Sequence, residues 1–394
     1  MLNLPIYLDH NATTPCDPRV VEAMTPYFTK MFGNAASRNH SFGWAAEEAV
    51  DIAREEVARL IGAETKEIIF TSGATEGDNL ALKGVFEMYA GKGNHIITCN
   101  IEHKAVLDSC KHIEKSGGEI TYLEVKENGL IDLAELEAAI KPTTVLIAIM
   151  YANNEIGSIM PMKEIAAIAK RRGVLLFSDA TQAVGKIPID INDVGIDIMS
   201  FSAHKMYGPK GVGALYVRRK NPRVKLTAQI DGGGHEKGIR SGTLNVPGIV
   251  GFGKACEICR MEMNDEAERV SYLRDKLENA LLRIDESDVN GNKAPRIPNV
   301  TNISFKDTEG EGLLMGINKN IAVSSGSACT SATPEPSYVL KALGLDDELA
   351  HSSIRFGLGR FTTEEEIDYV IEQVTGTVNR LREENKLENV KYRM

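Results

Sequence analysis

The sequence predicts an α/β fold: a large domain with a mostly parallel sheet, plus a smaller α+β domain. Three observations carry this expectation. Short apolar runs alternate with amphipathic helical patterns from residue 68 to residue 202, the mark of layered βα units. Near Val246 the alternation gives way to one long helical stretch that reaches about Ile284. Beyond it, short strands and helices mix without regular alternation.

Taken in order, Ile6–Leu8 is a short apolar segment, and Asp9 to Pro15 is turn chemistry. Gly43 to Ile61 predicts a helix, because Ala46, Val50, Ala53, Val57, Leu60 and Ile61 share a face and Gly62 stops it. Ile68–Phe70 reads as a buried strand, leading through Thr71 to Thr75 into a helix from about Glu76 to Tyr89. Strands over His95–Cys99, Glu119–Val125, Val145–Tyr151 and Val174–Ser178 then alternate with helices over His103–Lys115, Leu133–Ile140 and Met162–Arg171. Ile196 to Phe201 alternates apolar and polar residues, as a strand does. After the long helix, strands are expected at Val300–Phe305, Ile321–Ser324 and Ser353–Phe356, among helices at Glu311–Ile317, Tyr338–Leu343 and Glu364–Leu381. No linker composition interrupts the chain, so the joint is expected inside the long helix. The large domain is then 15–255, and 1–14 with 256–394 form the small one.

Bulk composition narrows the function classes. The chain has 394 residues, 43% hydrophobic and 25% charged, with a net charge of -10. That charge and the lack of a basic run argue against a nucleic-acid or anionic-membrane partner. No apolar run approaches the roughly 18 residues of a membrane span. The start, Met1 to Pro5, shows no signal-like pattern, so a cytoplasmic protein is expected. Six scattered cysteines do not form a disulfide framework, and Cys256-x-x-Cys259 lacks the second pair of a zinc site.

Chemistry gathers where strands end. Ser200 to Gly213 reads SFSAHKMYGPKGVG: a strand running into Ser202, His204 and Lys205, then a Gly/Pro turn. A lysine amine beside such donors suits Schiff-base chemistry with a carbonyl cofactor such as pyridoxal phosphate; alone it is equally a solvated loop lysine. Ser72-Gly73-Ala74-Thr75 opens a helix and offers backbone N–H groups to an anion, or is an ordinary cap. Asp179 follows a strand, where it either caps the next helix or pairs with a protonated pyridine nitrogen. His103 either caps its helix or stacks on a flat ring and shuttles protons. Asn153 and Asn154 offer amide donors after another strand. Gly232 to Thr243 is a glycine-rich loop with basic and hydroxyl residues, suited to phosphate or simply flexible. Arg355 on a short strand suits two-pronged carboxylate binding, or an interdomain ion pair. Cys329 stands among small polar residues from Ser324 to Pro334, with nothing large to bury it, as reactive rather than structural cysteines do.

These stretches together resemble the pyridoxal-phosphate cysteine desulfurases of the NifS/IscS type, within the class-V aminotransferases. The matches are YLDHNATTP, FTSGATEGDN, EHKAV, NNEIG, DATQAVGK, SFSAHKMYGPKG, GGGHEKGIRSGT, SSGSACTSA and SSIRFGLGRFTT, in the family's order over almost the whole chain. The resemblance implies the fold type I of pyridoxal-phosphate transferases. It implies that Lys205 carries the cofactor and moves protons, that His103 stacks on the ring, that Asp179 pairs with the pyridine nitrogen and that Gln182 meets the phenolic oxygen. Ala74, Thr75, Ser202 and His204 hold the phosphate, joined by Thr243 from the other subunit of a homodimer. Asn154, beside the cofactor, and Arg355 bind the carboxylate of L-cysteine. Cys329 takes the sulfur as a persulfide and L-alanine leaves. The sulfur then passes to iron–sulfur scaffold proteins or tRNA-thiolation carriers. No resident metal is implied, although Cys329 can ligate a transient iron–sulfur cluster.

Departures are few: Ala203 where relatives often have glycine, Phe177-Ser178 in place of a His-Val pair, and a charged end from Arg382 without the Ser-Pro-Leu-Trp tail that helps relatives dock the scaffold. The alternatives are a selenocysteine lyase or another class-V enzyme, and a sulfur- or cluster-holding platform without catalysis. An aminotransferase has no need of a thiol at 329, and the presence of Lys205, His103 and Cys329 argues against an inactive platform.

Overall fold

The computed structural model describes residues 2–292, 294–325 and 335–392. Its strands are, in chain order, β1 (Ile6–Tyr7), β2 (Ile68–Thr71), β3 (His95–Cys99), β4 (Glu119–Leu123), β5 (Thr144–Ala148), β6 (Leu175–Asp179), β7 (Ile198–Ser202), β8 (Gly213–Val217), β9 (Ser287–Val289), β10 (Val300–Phe305), β11 (Ile321–Ala322) and β12 (Ser353–Gly357). Seven of them form one sheet in the order β2-β8-β7-β6-β5-β3-β4. All neighbours run parallel except β8, which is antiparallel to both β7 and β2. The reversal follows from the connection. Only Ala203 to Val212 lies between β7 and β8, too short for the helical crossover that a parallel pair needs. The inner strands β3, β5, β7 and β8 are buried along their whole length, as expected of strands covered on both faces.

The strand Gly213–Val217 is absent from the sequence-based expectation, which placed a turn there and nothing after it. Gly213 has a steric duty. A Cβ on it would lie 2.6 Å from the Phe201 carbonyl oxygen and 2.8 Å from Gly73 Cα. A bare glycine lets the turn after β2 pack directly on β8.

The smaller sheet is antiparallel, ordered β12-β10-β9, and β1 pairs in parallel with β11. The long helix Val246–Leu281 serves two cores. Its first half places Val246, Ile249, Phe252, Cys256 and Cys259 in the core of the large sheet. Its second half gives Val270, Leu273, Leu277 and Leu281 to the core around β10 and β12. Phe252 is fully buried, with edge-on contacts to Phe70 and Phe201 at 6.5 and 5.7 Å between ring centroids. The N-terminal segment crosses between the two sheets: Ile6 N–H donates to Asn320, His10 N–H to Gly357 and Thr14 N–H to His204. It thereby brings Asn11 and Ala12 to the end of β7. Among the described residues no helix is long and apolar enough to cross a membrane.

Candidate active site

In an open α/β sheet, ligands gather outside the carboxyl ends of the strands. That edge here encloses a cavity of about 540 Å³. Every strand named above as ending in polar residues delivers them to it. The turn after β2 contributes Ser72 to Glu76, the loop after β3 His103, and the loop after β5 Met150, Ala152 and Asn154. Asp179, Thr181 and Gln182 follow from β6, and Ser202, His204 and Lys205 from β7. Asn11 to Thr13 and Arg355 close it from the side of the smaller sheet. Of the catalytic, cofactor and substrate residues that the resemblance implies, two are not among those lining it, and Asn153 lies off it as well, donating to Ile101 O. Thr243 is exposed and does not line this cavity. Cys329 lies outside the described residues.

The helix Ala74–Met88 begins two residues earlier than its pattern suggests. Gly73 is its N-cap, at φ 155° and ψ 178°, and supplies no side-chain cap. The first turn therefore presents N–H groups to the cavity without a side chain competing for them.

His103 reconciles its two readings. Its Nδ1 accepts from Ala105 N–H at 3.1 Å and so caps the helix Lys104–Lys115, while the ring lines the cavity. Burial holds its pKa below the ordinary imidazole value, against the pull of Asp179 and with help from the charge of Lys205. The ring is accordingly neutral at neutral pH, with Nδ1 taken up as the acceptor and the ring proton on Nε2. Asp179 is 6% exposed, lines the cavity and accepts from Thr181 N–H at 2.9 Å in the turn after β6; the next helix, Ile191–Val194, is capped by Asp190, so the expected capping role of Asp179 does not hold. Lys205 Nζ donates to the carbonyls of Asn11 and Ala12, both at 2.6 Å. His204 pairs with Thr13 Oγ1 at 3.0 Å and is pushed down to about 4 by burial and by Lys205, Lys210 and Lys186.

Gln182 is held on two sides: its Oε1 accepts from Lys186 Nζ at 2.6 Å, and its Nε2 donates to Asn11 O at 2.9 Å. Arg355 is 1% exposed, donates to Asp9 at 2.8 Å and to Asn154 O at 3.1 Å, and among the described residues its Nε–H has no partner. Asn154 Oδ1 is likewise buried and unpartnered.

Three buried carboxyls around the site escape a reading of the sequence. Asp78 is fully buried, accepts from Ser200 Oγ, and lies with His103 and Asp179 such that their polar atoms are within 4.8 Å of one another. Burial, and secondarily the charge of Asp179, raise its pKa far above the usual carboxylate value. Glu102 accepts from Met150 N–H at 2.6 Å, and burial pushes it up to about 8. Glu155 accepts from Ser337 Oγ at 2.5 Å and is pushed up to about 7, again by burial. Each occupies a polar position in a motif or helix, where a solvent-facing side chain is the default expectation. Only the direct adjacency of Glu102 to His103, and of Glu155 to Asn154, hinted otherwise.

Comparison with known proteins identifies the family. The class-V aminotransferase model matches residues 6–370. The chain belongs to the class-V aminotransferase family. Within this family it falls among the cysteine desulfurases of the NifS/IscS type. It is 60% identical over 387 residues to the cysteine desulfurase IscS of Anaeromyxobacter sp. (strain Fw109-5), covering 98% of this chain and 95% of that one. To the IscS of Escherichia coli O139:H28 it is 58% identical over 384 residues, covering 97% and 95%. Among solved structures, a NifS-like protein superposes with a TM-score of 0.88 at 38% identity, over 96% of this chain and 100% of that one. A structure described as SspA in complex with cysteine superposes at 0.81 with 35% identity, over 91% and 100%.

Class-V enzymes of this type use pyridoxal phosphate, and the donor set here fits that group. An uncapped helix N-terminus, the Ser202 hydroxyl and the His204 ring suit a phosphate. A carboxylate at Asp179 suits a protonated ring nitrogen, and an amine at Lys205 suits an aldehyde. The unpartnered Nε–H of Arg355 and Oδ1 of Asn154 are polar atoms awaiting a polar ligand.

Proposed function

We propose that this cavity carries out the desulfurase reaction of its branch, taking L-cysteine to L-alanine and passing the sulfur to Cys329 as a persulfide. The observation that carries the reading is convergence: Lys205, Asp179, His103 and Arg355, from four separate loops and strands, line one cavity at the carboxyl edge of the sheet. Bound pyridoxal phosphate supplies an electron sink that weakens bonds at the substrate's α- and β-carbons. Lys205 holds the cofactor and, freed from it, moves a proton at its Nζ. Asp179 keeps the ring nitrogen protonated, with Gln182 fixed beside it by Lys186 and Asn11. Ala74, Thr75, Ser202 and His204 take the phosphate. Arg355 and Asn154 orient the substrate carboxylate, and neutral His103, its Nδ1 accepting from Ala105, offers its Nε2–H as a donor for the acid–base steps beside the ring. The Cys329 thiolate attacks the substrate sulfur. A sulfur–sulfur bond forms and the carbon–sulfur bond breaks; the carbon keeps the bonding pair and takes a proton, giving alanine.

A homodimer belongs to this reading. Phe28, Phe32, Phe42 and Trp44 are 62%, 65%, 50% and 56% exposed, an apolar surface that a second copy would cover. The exposure of Thr243, away from its own chain's cavity, is what a residue reaching a partner's phosphate site requires. Iron–sulfur scaffold proteins and other sulfur acceptors are the proposed partners, the cytoplasm the proposed compartment, and residue 255 in the long helix the proposed joint between domains.

The test of this reading is borohydride reduction of the purified yellow protein followed by peptide mapping. The cofactor should be fixed on Lys205, with the spectrum changing on addition of L-cysteine as alanine appears. A label on Lys210, or a colourless protein inert to cysteine, contradicts it.

A further inference from the structure

Glu76 poses a problem for anion binding at this site. It is the third residue of the helix Ala74–Met88 and lines the cavity, so its carboxylate shares the turn whose N–H groups seat an anion. Its side chain is 15% exposed and accepts from Ser72 N–H at 2.9 Å. Burial raises its pKa, but the bonds from Arg240 and Ser72 outweigh this and hold it below the ordinary glutamate value. It is therefore ionised at neutral pH, and a bare charge there repels phosphate.

Arg240 meets that charge as a fork: Nε donates to Oε1 at 2.8 Å and Nη2 to Oε2 at 3.2 Å. Arg240 is not among the residues lining the cavity. The loop that carries it is fastened independently, because Glu236 accepts from both Arg54 nitrogens at 2.7 Å and from Phe70 N–H at 2.8 Å.

We propose that Arg240 is a positioning residue for phosphate: by its two bonds to Glu76 it cancels the carboxylate charge in the first helical turn and so sets the affinity of the Ser72–Thr75 turn. The proposal rests on the reading of that turn as the phosphate seat. Charge cancellation and mere bracing of the loop differ in sign at Glu76. If charge is what matters, removing Arg240 is harmful, removing Glu76 is not, and removing both restores binding.

The experiment strips the cofactor from the full-length protein and titrates it back as pyridoxal phosphate or as pyridoxal, which lacks the phosphate. The variants are Arg240→Met, Glu76→Gln and the double variant, each with a thermal melt of the cofactor-free protein. Arg240→Met should weaken pyridoxal phosphate about tenfold or more, as an uncompensated charge in a partly buried site predicts, and leave pyridoxal nearly unchanged. Glu76→Gln should bind at least as tightly as the wild type, and the double variant should recover most of the loss. If Arg240→Met proves unstable, the double variant, with no charge left unpaired, carries the comparison with Glu76→Gln. Equal losses for Glu76→Gln and Arg240→Met, or equal losses for both forms of the cofactor, would overturn the proposal. So would wild-type affinity in Arg240→Met. A wild-type protein indifferent to the phosphate group would instead overturn the reading of the turn.

Discussion

Arg355 offers the sharpest separation of binding from folding. Its side chain is 1% exposed, so its guanidinium is held by the protein: one bond from Nη2 to Asp9 at 2.8 Å and one from Nη1 to Asn154 O at 3.1 Å, with Nε–H unpartnered among the described residues. Replacing it with glutamine removes the cation and the fork while keeping part of the volume. Hydrogen bonds to charged groups contribute about 1.5–3 kcal/mol each, so losing the substrate carboxylate contact should lower kcat/KM for L-cysteine roughly 10- to 150-fold. The loss should fall mainly on KM, because the carboxylate is bound throughout the reaction. Stability should also drop. Stranding one partner of a fully buried pair costs about 3–5 kcal/mol, but Asp9 is 20% exposed and water relieves part of that, leaving about 1–3 kcal/mol. Asp9→Asn should share the stability loss and little of the KM effect. Steady-state kinetics with urea unfolding of both variants decides the matter. An Arg355→Gln protein that is folded, binds the cofactor and keeps the wild-type KM refutes the carboxylate assignment.

Asp179→Asn should retain the cofactor yet slow turnover on the order of 100-fold, the size typical of losing one preorganised electrostatic partner; full turnover would leave Asp179 only its bond to Thr181. Glu102 gives a pH signature. Burial pushes it from 4.5 up to about 8, so the folded protein keeps a proton that the unfolded chain has released between those values. Stability should therefore fall as pH rises through that window and level off above it. Glu102→Gln, which keeps an acceptor for Met150 N–H, should flatten the fall seen in thermal melts; an unchanged slope means another group titrates. Phe252→Ala should cost about 3–5 kcal/mol in denaturant unfolding, since the ring packs on Phe70 and Phe201 at the centre of the large core. A loss nearer 1 kcal/mol would show that the core closes over the space.

What could be read from the chain beforehand follows a physical divide. Parallel strands such as Thr144–Ala148 announce themselves because both faces are buried and the residues are small or apolar. Gly213–Val217 was missed because its entry is masked by a Gly/Pro turn, and only pairing with β2 and β7 makes it a strand. The loop residues of the site were legible because each strand ends abruptly in polar residues. The dual duty of His103 was not: it caps a helix and faces the cavity, and sequence posed these as alternatives. Least visible were Asp78, Glu102 and the Glu76–Arg240 pair. A charged residue in a helical or loop pattern looks solvated until the fold buries it, and the separation of 164 positions between Glu76 and Arg240 is closed by the folded loop.

The central claim is that sulfur leaves cysteine for a single protein thiol. Intact-protein and peptide mass spectrometry after one turnover with L-cysteine tests it most directly. The account predicts one added sulfur on Cys329 in the wild type. In Cys329→Ser it predicts none, with almost no alanine formed although the cofactor is bound. Substitution of Cys16, Cys99, Cys110, Cys256 or Cys259 should leave the persulfide in place. Alanine produced at the wild-type rate by Cys329→Ser would contradict the account and point to a lyase that needs no protein thiol.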